Sequence, residues 1–270
     1  MRPLLILLLL PLVAAVAGAQ PDRVLPTDDW CDGGRWSDGR SYACEVREVM
    51  TRTDRVDLRA LNGGVTVKQW DRDDVLVRAR VAAYGKTQSE ADRAVRQTTV
   101  DVHDGVVRAE AARAGDAYAA VSYEVFAPRQ TDLDVSAMNG PVEVYGLDGR
   151  IRVEARNGPV RMIDVSGDVA LNATNGPVEV ELSGASWRGS GLAVEAMNGP
   201  ITLSVPRGYS ARLAARTNNS RISTEGLDYA AQDRQRGRYV GDALEATLGR
   251  GGPVLSLQAR NGPVRLRADG

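Results

Sequence analysis

Three charged residues offer the clearest arrangement for catalysis in this 270-residue chain. Glu143, Arg161 and Glu179 occupy equivalent places in successive copies of an internal repeat, so we expect them to face outward on neighbouring stacked strands. Glu143 and Glu179 would then lie about 9.5 Å apart by strand spacing. That distance overlaps the separation of the two carboxyl groups in inverting glycosidases, so one hypothesis is a polysaccharide-processing enzyme with stacked carboxylates.

Other features of the sequence weigh against an enzyme. Alternating Glu and Arg on neighbouring strands also stabilise an ordinary solvated sheet face. Aromatic residues make up only 5% of the chain, which leaves few platforms for stacking sugars. His103 is the one histidine, there are two cysteines, and no Gly-x-Ser-x-Gly motif is present, so we predict no catalytic, cofactor-binding or metal-binding residue.

The charge balance excludes a further class of partner. The chain has 34 Lys and Arg against 35 Asp and Glu. A protein that binds nucleic acid needs a basic surplus to neutralise phosphates, so we predict no nucleic-acid partner.

The N-terminus predicts export. A positive start at Arg2 precedes an apolar run over residues 4–10, and Ala17-Gly18-Ala19 has the small residues of a cleavage site. This pattern is typical of a secretory signal peptide over residues 1–19, cleaved after Ala19, which places the mature protein in the periplasm or outside the cell. The mature chain contains no second apolar run long enough to cross a membrane, so we predict no transmembrane segment in it.

Export makes the two cysteines informative. Cys31 and Cys44 lie 13 residues apart in a segment rich in Gly, Asp and Ser. In an oxidising compartment such a pair predicts a disulfide, and closing this loop would contribute about 3 kcal/mol. Two reactive thiols are the weaker alternative, because the spacing is not Cys-x-x-Cys. We assign residues 20–55 to this disulfide-bracketed segment.

An internal repeat dominates the rest of the chain. Asn-Gly-Pro followed by Val or Ile begins at Asn139, Asn157, Asn175, Asn198 and Asn261, and degenerate copies begin at Asn62 and Asn219. Apolar residues alternate with polar ones on both sides of each turn, which predicts strands with one buried face. The spacing of 18 residues between the regular copies favours coils stacked in parallel rather than a meander of hairpins.

The turn has a specific physical basis. Gly adopts positive φ freely, and Pro fits the first position of the next strand, where a missing N–H is tolerated. Stacking would place the seven Asn residues in a column whose side-chain amides bond coil to coil. We therefore interpret them as a structural turn ladder rather than as a catalytic set.

Two regions interrupt the repeats. Residues 226–243 are polar, with an Arg-rich stretch over residues 232–238, and we predict a loop insertion there; Leu244, Ala246 and Leu248 then restore a strand. Residues 56–132 are interpreted as a first coil and an elaborated N-terminal cap with one short helix over residues 89–96, capped by Ser89. The repeats occupy residues 133–270.

The chain resembles a known bacterial family. Val67-Lys68-Gln69-Trp70-Asp71, the strand Val121-Ser122-Tyr123-Glu124-Val125 and the serial Asn-Gly-Pro-Val turns are similar to the β-strand-repeat family named "putative adhesin", a domain of unknown function. The resemblance covers residues 31–270 and carries over no catalytic residue. It implies an all-β, single-stranded right-handed β-solenoid in the cell envelope, here of about six to seven coils of two strands each.

Function must then lie on the outward columns. The column three positions before each Asn includes Ser136, Glu154, Asn172, Glu195, Arg216 and Gln258, and the column one position before includes Met138, Arg156, Thr174, Met197, Asn218 and Arg260. We hypothesise a non-enzymatic interaction protein that binds an extended envelope partner, glycan or protein, with an envelope stress-response scaffold as another alternative. The candidate partner-face residues are Glu143, Arg161, Glu179, Glu154 and Glu195.

Overall fold

The computed structural model describes residues 30–32, 39–236 and 241–269, and within them the chain is all-β with a single α-helix. The predicted all-β class is confirmed. The predicted signal peptide lies outside the described residues. No helix in the described ranges is long and apolar enough to cross a membrane.

Two open sheets of eleven strands each contain all the strands of the described ranges. In spatial order, sheet A comprises β1 (Ser41–Thr51), β4 (Val75–Gly85), β8 (Ala117–Pro128), β3 (Val65–Trp70), β10 (Val142–Tyr145), β12 (Val160–Ile163), β14 (Val178–Glu181), β16 (Ile201–Pro206), β22 (Val264–Asp269) and β18 (Ile222–Glu225), with β7 (Arg113–Ala114) paired to β8. Sheet B comprises β19 (Tyr229–Arg236), β20 (Asp242–Leu248), β17 (Ala211–Thr217), β21 (Val254–Asn261), β15 (Gly191–Asn198), β13 (Ser166–Asn175), β11 (Asp148–Asn157), β9 (Asp132–Asn139), β2 (Arg55–Asn62), β6 (Val106–Glu110) and β5 (Thr99–His103). The helix α1 spans Gln88–Gln97.

The core lies between the two sheets. In each central repeat the first strand belongs to sheet B and the second to sheet A, so the inward side chains of both strands meet. Val153 on β11 and Val144 on β10 are both fully buried in this core. Full burial of such an apolar side chain contributes about 1.5–3 kcal/mol, so the alternation seen in the sequence supplies the main stabilising term.

Successive repeats pair in parallel and in register. Val142 pairs with Val160, which pairs with Val178, and on the other sheet Asn139, Asn157 and Asn175 stand opposite one another. This pairing superposes the Asn-Gly-Pro turns of neighbouring repeats. The right-handed β-solenoid of about six to seven coils and the boundaries at residues 20–55, 56–132 and 133–270 stay predictions.

The turns require glycine. Gly140 and Gly158 have φ of +139° and +144°, a region that L side chains rarely adopt. A Cβ on Gly158 would lie 2.2 Å from the carbonyl oxygen of Gly140 in the neighbouring repeat. Val142 N donates to the carbonyl oxygen of Pro159 at 3.0 Å, so backbone pairing continues around the corner.

The N-terminal part of sheet A is antiparallel. β4 pairs antiparallel with β1 on one side and with β8 on the other, and β3 joins β8 to the parallel repeats. The prediction that Ser89 caps the helix is wrong: the hydroxyl of Thr87 accepts from Glu90 N, and the carboxylate of Glu90 accepts from Thr87 N, both at 3.2 Å. Thr87 is the N-cap because Glu90 lies three residues after it and completes a capping box.

The C-terminal repeats do not stack in sequence order. β21 pairs in parallel with β15 on one side and with β17 on the other, so the last repeat lies inside the stack. β20, which contains the predicted strand residues Leu244, Ala246 and Leu248, pairs antiparallel with β17.

The structure also corrects the loop predicted over residues 226–243. Its central residues form β19, an edge strand that pairs antiparallel with β20. Residues 230–233 are exposed on both faces, which explains why their polar sequence suggested a loop. Residues 237–240, which include the last two residues of the Arg-rich stretch, lie outside the described residues.

Candidate functional site

The five predicted partner-face residues fall on two different sheets. Glu143, Arg161 and Glu179 lie on sheet A, whereas Glu154 and Glu195 lie on β11 and β15 of sheet B. Because the two sheets pack with their inner faces together, their outward side chains point in opposite directions. The five residues therefore do not form one surface.

The sheet A residues are engaged with one another. Arg161 lies in register between Glu143 and Glu179. Its Nε is 3.6 Å from Glu179 Oε2, and its Nη2 is 3.4 Å from Glu181 Oε2. The hydroxyl of Tyr145 donates to Glu143 Oε2 at 3.1 Å. Each of the three predicted side chains thus already has a neighbour that neutralises or binds it.

Tyr145 keeps its proton in this arrangement. Burial raises the pKa of its hydroxyl, and the hydrogen bond to Glu143 raises the pKa further. The hydroxyl therefore continues to donate to Glu143 well above neutral pH. Charges paired in this way across neighbouring strands are typical of a solvated face that stabilises its sheet.

A shallow groove crosses the strands of sheet B. It consists of two depressions of about 310 and 410 Å³ that share Asn172 and Thr174. We call it the sheet B groove. Its first wall comprises the lining residues three positions before each ladder Asn, namely Arg59, Ser136, Glu154, Asn172, Glu195 and Gln258. Its second wall, the methionine wall, comprises those one position before, namely Leu61, Met138, Arg156, Thr174, Met197, Arg260 and Asn218.

The methionine wall exposes large apolar side chains. Leu61, Met138 and Met197 are 54%, 40% and 45% exposed. They are three of the seven large apolar side chains that are exposed in the described part of the chain, so such side chains concentrate here. A cluster of this kind, rimmed by polar groups, is typical of an interaction site.

The charged groups of the groove have no partners in the part of the chain that the structure describes. Among the described residues, no hydrogen bond or ion pair involves the side chains of Arg59, Glu154, Arg156, Glu195 and Arg260. Outside the groove, Arg152 on β11 binds Asp168 at 2.9 Å, and the hydrogen bond it donates lowers the pKa of that carboxyl. The groove therefore combines unpaired charges of both signs with exposed apolar surface.

Sequence reasoning identified these columns and selected two of their members, Glu154 and Glu195, but not the residues of the methionine wall. Met138 and Met197 stand at solvent-facing positions of a repeat whose other outward residues are mostly polar, and this was the available signal. Arg59 and Leu61 were missed because they belong to the degenerate first repeat. Their place in the groove follows from the direct parallel pairing of β2 with β9.

The Asn ladder runs beside the methionine wall and fixes its spacing. Each side-chain amide donates to the Asn of the adjacent repeat in the stack at 2.6–2.9 Å, and Asn62 donates to the hydroxyl of Tyr118 at 2.6 Å. The order of the column is Asn62, Asn139, Asn157, Asn175, Asn198, Asn261 and Asn219. All seven side chains act as structural hydrogen-bonding groups, which holds the wall residues at a regular separation.

A second cluster surrounds Arg78 on sheet A. Its side chain is 2% exposed and donates to Glu48 and Glu124 at 2.7 Å each. Burial by itself lowers the pKa of Arg78, but these hydrogen bonds raise it above its ordinary value. Arg78 was missed because an arginine in an alternating strand predicts a solvated position; breaking one of its ion pairs would leave a buried charge.

The Cys31–Cys44 disulfide lies next to Trp30, the residue that covers the Arg78 cluster. It joins the Trp30 segment to β1, with a Cα–Cα distance of 5.7 Å. The ring of Trp30 lies over the Arg78 guanidinium, 5.6 Å from its central carbon to the ring centroid. The predicted disulfide is thus present, and it has a structural role in tethering the Trp30 segment to β1.

No metal centre is found among the described residues. The side chain of His103 is 82% exposed, and its Nε2 lies 3.2 Å from Asp104 Oδ2. No group of three or more His, Cys, Asp or Glu side chains converges in the described ranges.

Comparisons with solved structures give distant similarities. A "putative cell adhesion protein" from Clostridium sporogenes has 10% identity and a TM-score of 0.44, over 85% of this chain and 100% of that chain. A "putative adhesin" from Bacteroides fragilis has 13% identity and a TM-score of 0.35, over 84% of this chain and 97% of that chain. A "putative lipid binding protein" from Parabacteroides distasonis has 11% identity and a TM-score of 0.31, over 83% and 96%. Family models and curated proteins give no match.

Proposed function

We propose that this protein is an exported, non-enzymatic interaction module of the cell envelope that binds an extended partner along the sheet B groove. The observation that carries the proposal is the coincidence, in one groove, of exposed Leu61, Met138 and Met197 with charged side chains that have no hydrogen-bond or ion-pair partner among the described residues. Elsewhere on the two faces many outward charges are paired, as Arg161 and Arg152 are.

The dimensions of the groove favour an extended partner. Its methionine wall crosses seven strands, from β2 to β17, and is therefore about 29 Å long at about 4.8 Å per strand. The two walls are two residues apart along each strand, or about 7 Å. A stable interface between globular proteins buries about 800 Å² on each partner, which is far more than this strip offers. A single extended chain, polypeptide or glycan, fits it.

The predicted site of action is the periplasm or the exterior. The signal peptide predicted over residues 1–19, with cleavage after Ala19, supports export. The Cys31–Cys44 disulfide supports an oxidising compartment. We interpret the alternation of strands between the sheets as a right-handed β-solenoid, a stiff scaffold in which every wall residue is fixed by its neighbours.

The hypothesis of stacked catalytic carboxylates has less support. Glu143 receives a hydrogen bond from Tyr145, and Glu179 is paired with Arg161. The groove charges Glu154 and Glu195 are separated by Asn172 and stand on an open face. Adhesin-like binding is therefore the function that we propose.

A charge-reversal pull-down tests the proposal. The R156E/R260E variant reverses two groove charges, and the matched control R93E/R265E reverses two arginines outside the groove that also lack partners among the described residues. We expect the wild type and the control to retain a saturable partner from the envelope fraction of the source cells, and the groove variant to lose at least nine-tenths of it. Equal retention by all three proteins would contradict the proposal.

A further inference from the structure

We propose that the sheet B groove takes an extended polypeptide segment in which apolar and acidic side chains alternate at every second position. This inference rests on the proposed function and adds the chemical class of the partner. The occupant is a protein segment of the envelope rather than a polysaccharide.

The lining chemistry favours polypeptide. No aromatic ring is present among the described residues that line the groove, so sugar rings would find no stacking platform. The apolar contacts come instead from Met138, Met197 and Leu61. Methionine is flexible and polarisable, and it is used at surfaces that accept varied apolar side chains of protein partners.

The spacing of the methionine wall sets the pattern of the partner. Met138 on β9 and Met197 on β15 are three strand spacings apart, about 14 Å. Arg156 on β11 and Arg260 on β21 are also three strand spacings apart. Four residues of an extended peptide span about 13.5 Å, and residues two or four apart point to the same side. Apolar residues at i and i+4 would therefore reach the methionines, and acidic residues at i+2 and i+6 would reach the arginines.

The charges of the first wall determine which side of the bound peptide faces each wall. Glu154 and Glu195 carry the same charge as the acidic side chains of such a partner and repel them, whereas Arg156 and Arg260 attract them. The acidic side of the partner therefore faces the methionine wall, and polar or basic residues face the first wall. The charges of Glu154, Glu195, Arg156 and Arg260 are all compensated in this orientation, whereas Arg59 lies on β2 beyond the stretch that such a partner covers.

Binding by side chains limits the affinity. The backbone groups of β9, β11, β13, β15 and β21 are already paired within sheet B, so the partner does not join the sheet as another strand. Affinity comes from four main side-chain contacts on an open surface. We expect a dissociation constant in the micromolar range, which corresponds to a binding free energy of about −8 kcal/mol. Binding should weaken as the salt concentration rises.

Two isomeric peptides test the inference. The first is Leu-Ser-Glu-Ser-Leu-Ser-Glu, and the second has the same composition in the order Leu-Leu-Ser-Ser-Ser-Glu-Glu. With fluorescently labelled peptides and full-length mature protein, we expect the alternating peptide to bind at least tenfold more tightly. The R156E/R260E variant and, separately, M138S/M197S should each weaken its binding at least fivefold, while R93E/R265E should leave it unchanged.

Other outcomes overturn the inference in ways that can be told apart. Equal binding of the two isomers would reject the alternating pattern. Saturable binding of cell-wall oligosaccharides, lost in R156E/R260E while neither peptide binds, would make the occupant a glycan and leave the proposed function standing. Envelope capture that ignores the groove charges would instead reject the proposed function itself. Circular dichroism of each variant confirms that the fold is retained.

Discussion

The side-chain amide of Asn261 donates a hydrogen bond to the side-chain oxygen of Asn198 at 2.9 Å, although 63 residues separate them. Asn219, which the chain reaches earlier, bonds to the other side of Asn261 at 2.6 Å. The last repeat is therefore inserted between two earlier ones. The C-terminal strands β21 and β22 are consequently part of the central core.

Removal of residues 253–270 should expose the consequence of this insertion. Both β21 and β22 would be lost, and β17 and β18 would lose their parallel partners. We expect hydrogen exchange of the β17 and β20 amides to lose its protection, because these strands would keep only each other and the edge strand β19 and would be cut off from the rest of sheet B. Protected β17 amides in the truncated chain would contradict the insertion.

Replacing a turn glycine should strongly lower the free energy of unfolding. In Gly158→Ala the new Cβ would meet the carbonyl oxygen of Gly140 at 2.2 Å, at a φ of +144°. We expect a loss of at least about 3 kcal/mol in the free energy of unfolding, measured with denaturant. The matched control is Gly208→Ala, which also has positive φ but no atom within 4 Å of the new Cβ. It should cost about 1 kcal/mol, and similar losses for both variants would show that stacking does not constrain the turn.

Interrupting the Asn ladder should have a moderate effect. Asn157→Ala removes one hydrogen bond donated to Asn139 and one accepted from Asn175, both at 2.9 Å. At about 0.5–1.5 kcal/mol each, the free energy of unfolding should fall by about 1–3 kcal/mol. Asn172→Ala, at an exposed position whose side chain forms no bond with described residues, should change it by less than about 0.5 kcal/mol. Thermal or denaturant melts of both variants check the difference, and equal losses would reject the ladder as a stabilising element.

Two buried tyrosines should control stability at alkaline pH. Burial raises the pKa of Tyr123 and of Tyr209 from 10.0 to about 12. Between these values the unfolded chain has lost protons that the folded chain retains, so the stabilisation is fully present below pH 10 and is lost as pH rises through about 12. The change is about 2–3 kcal/mol per tyrosine. Denaturant unfolding at pH 8, 10 and 11.5 checks it, and Y123F/Y209F should flatten the profile; an unchanged slope would contradict this assignment.

Local pattern predicted much of this fold. Side chains that alternate with period two place Val153 and Val144 in the core and Glu154 outside it, whatever the neighbouring strand. Asn-Gly-Pro predicted the turns because glycine readily adopts the positive φ found at Gly140, Gly158, Gly176 and Gly199. The order of the strands depends on contacts between residues that are distant in the sequence. The 63-residue gap before Asn261 was the only feature of the sequence that pointed to the inserted last repeat.

The candidate site was less predictable for the same reason. Glu154 and Glu143 both alternate correctly, yet they face opposite ways because consecutive strands enter different sheets. Whether an outward charge is paired depends on the residue opposite it on the neighbouring strand. Arg161 forms an ion pair with Glu179, whereas Arg156 lies beside Thr174. The groove emerges only when these neighbours are known.

Photo-crosslinking from the centre of the groove is the most direct test of the central claim. A photoreactive amino acid at Thr174 would sit where the two depressions meet, and the same residue at Thr202 would sit on the outer face of sheet A. In living source cells, we predict a specific adduct from position 174, suppressed by R156E/R260E, and no such adduct from position 202. A specific adduct from position 202 alone would place the binding face on sheet A and contradict the account.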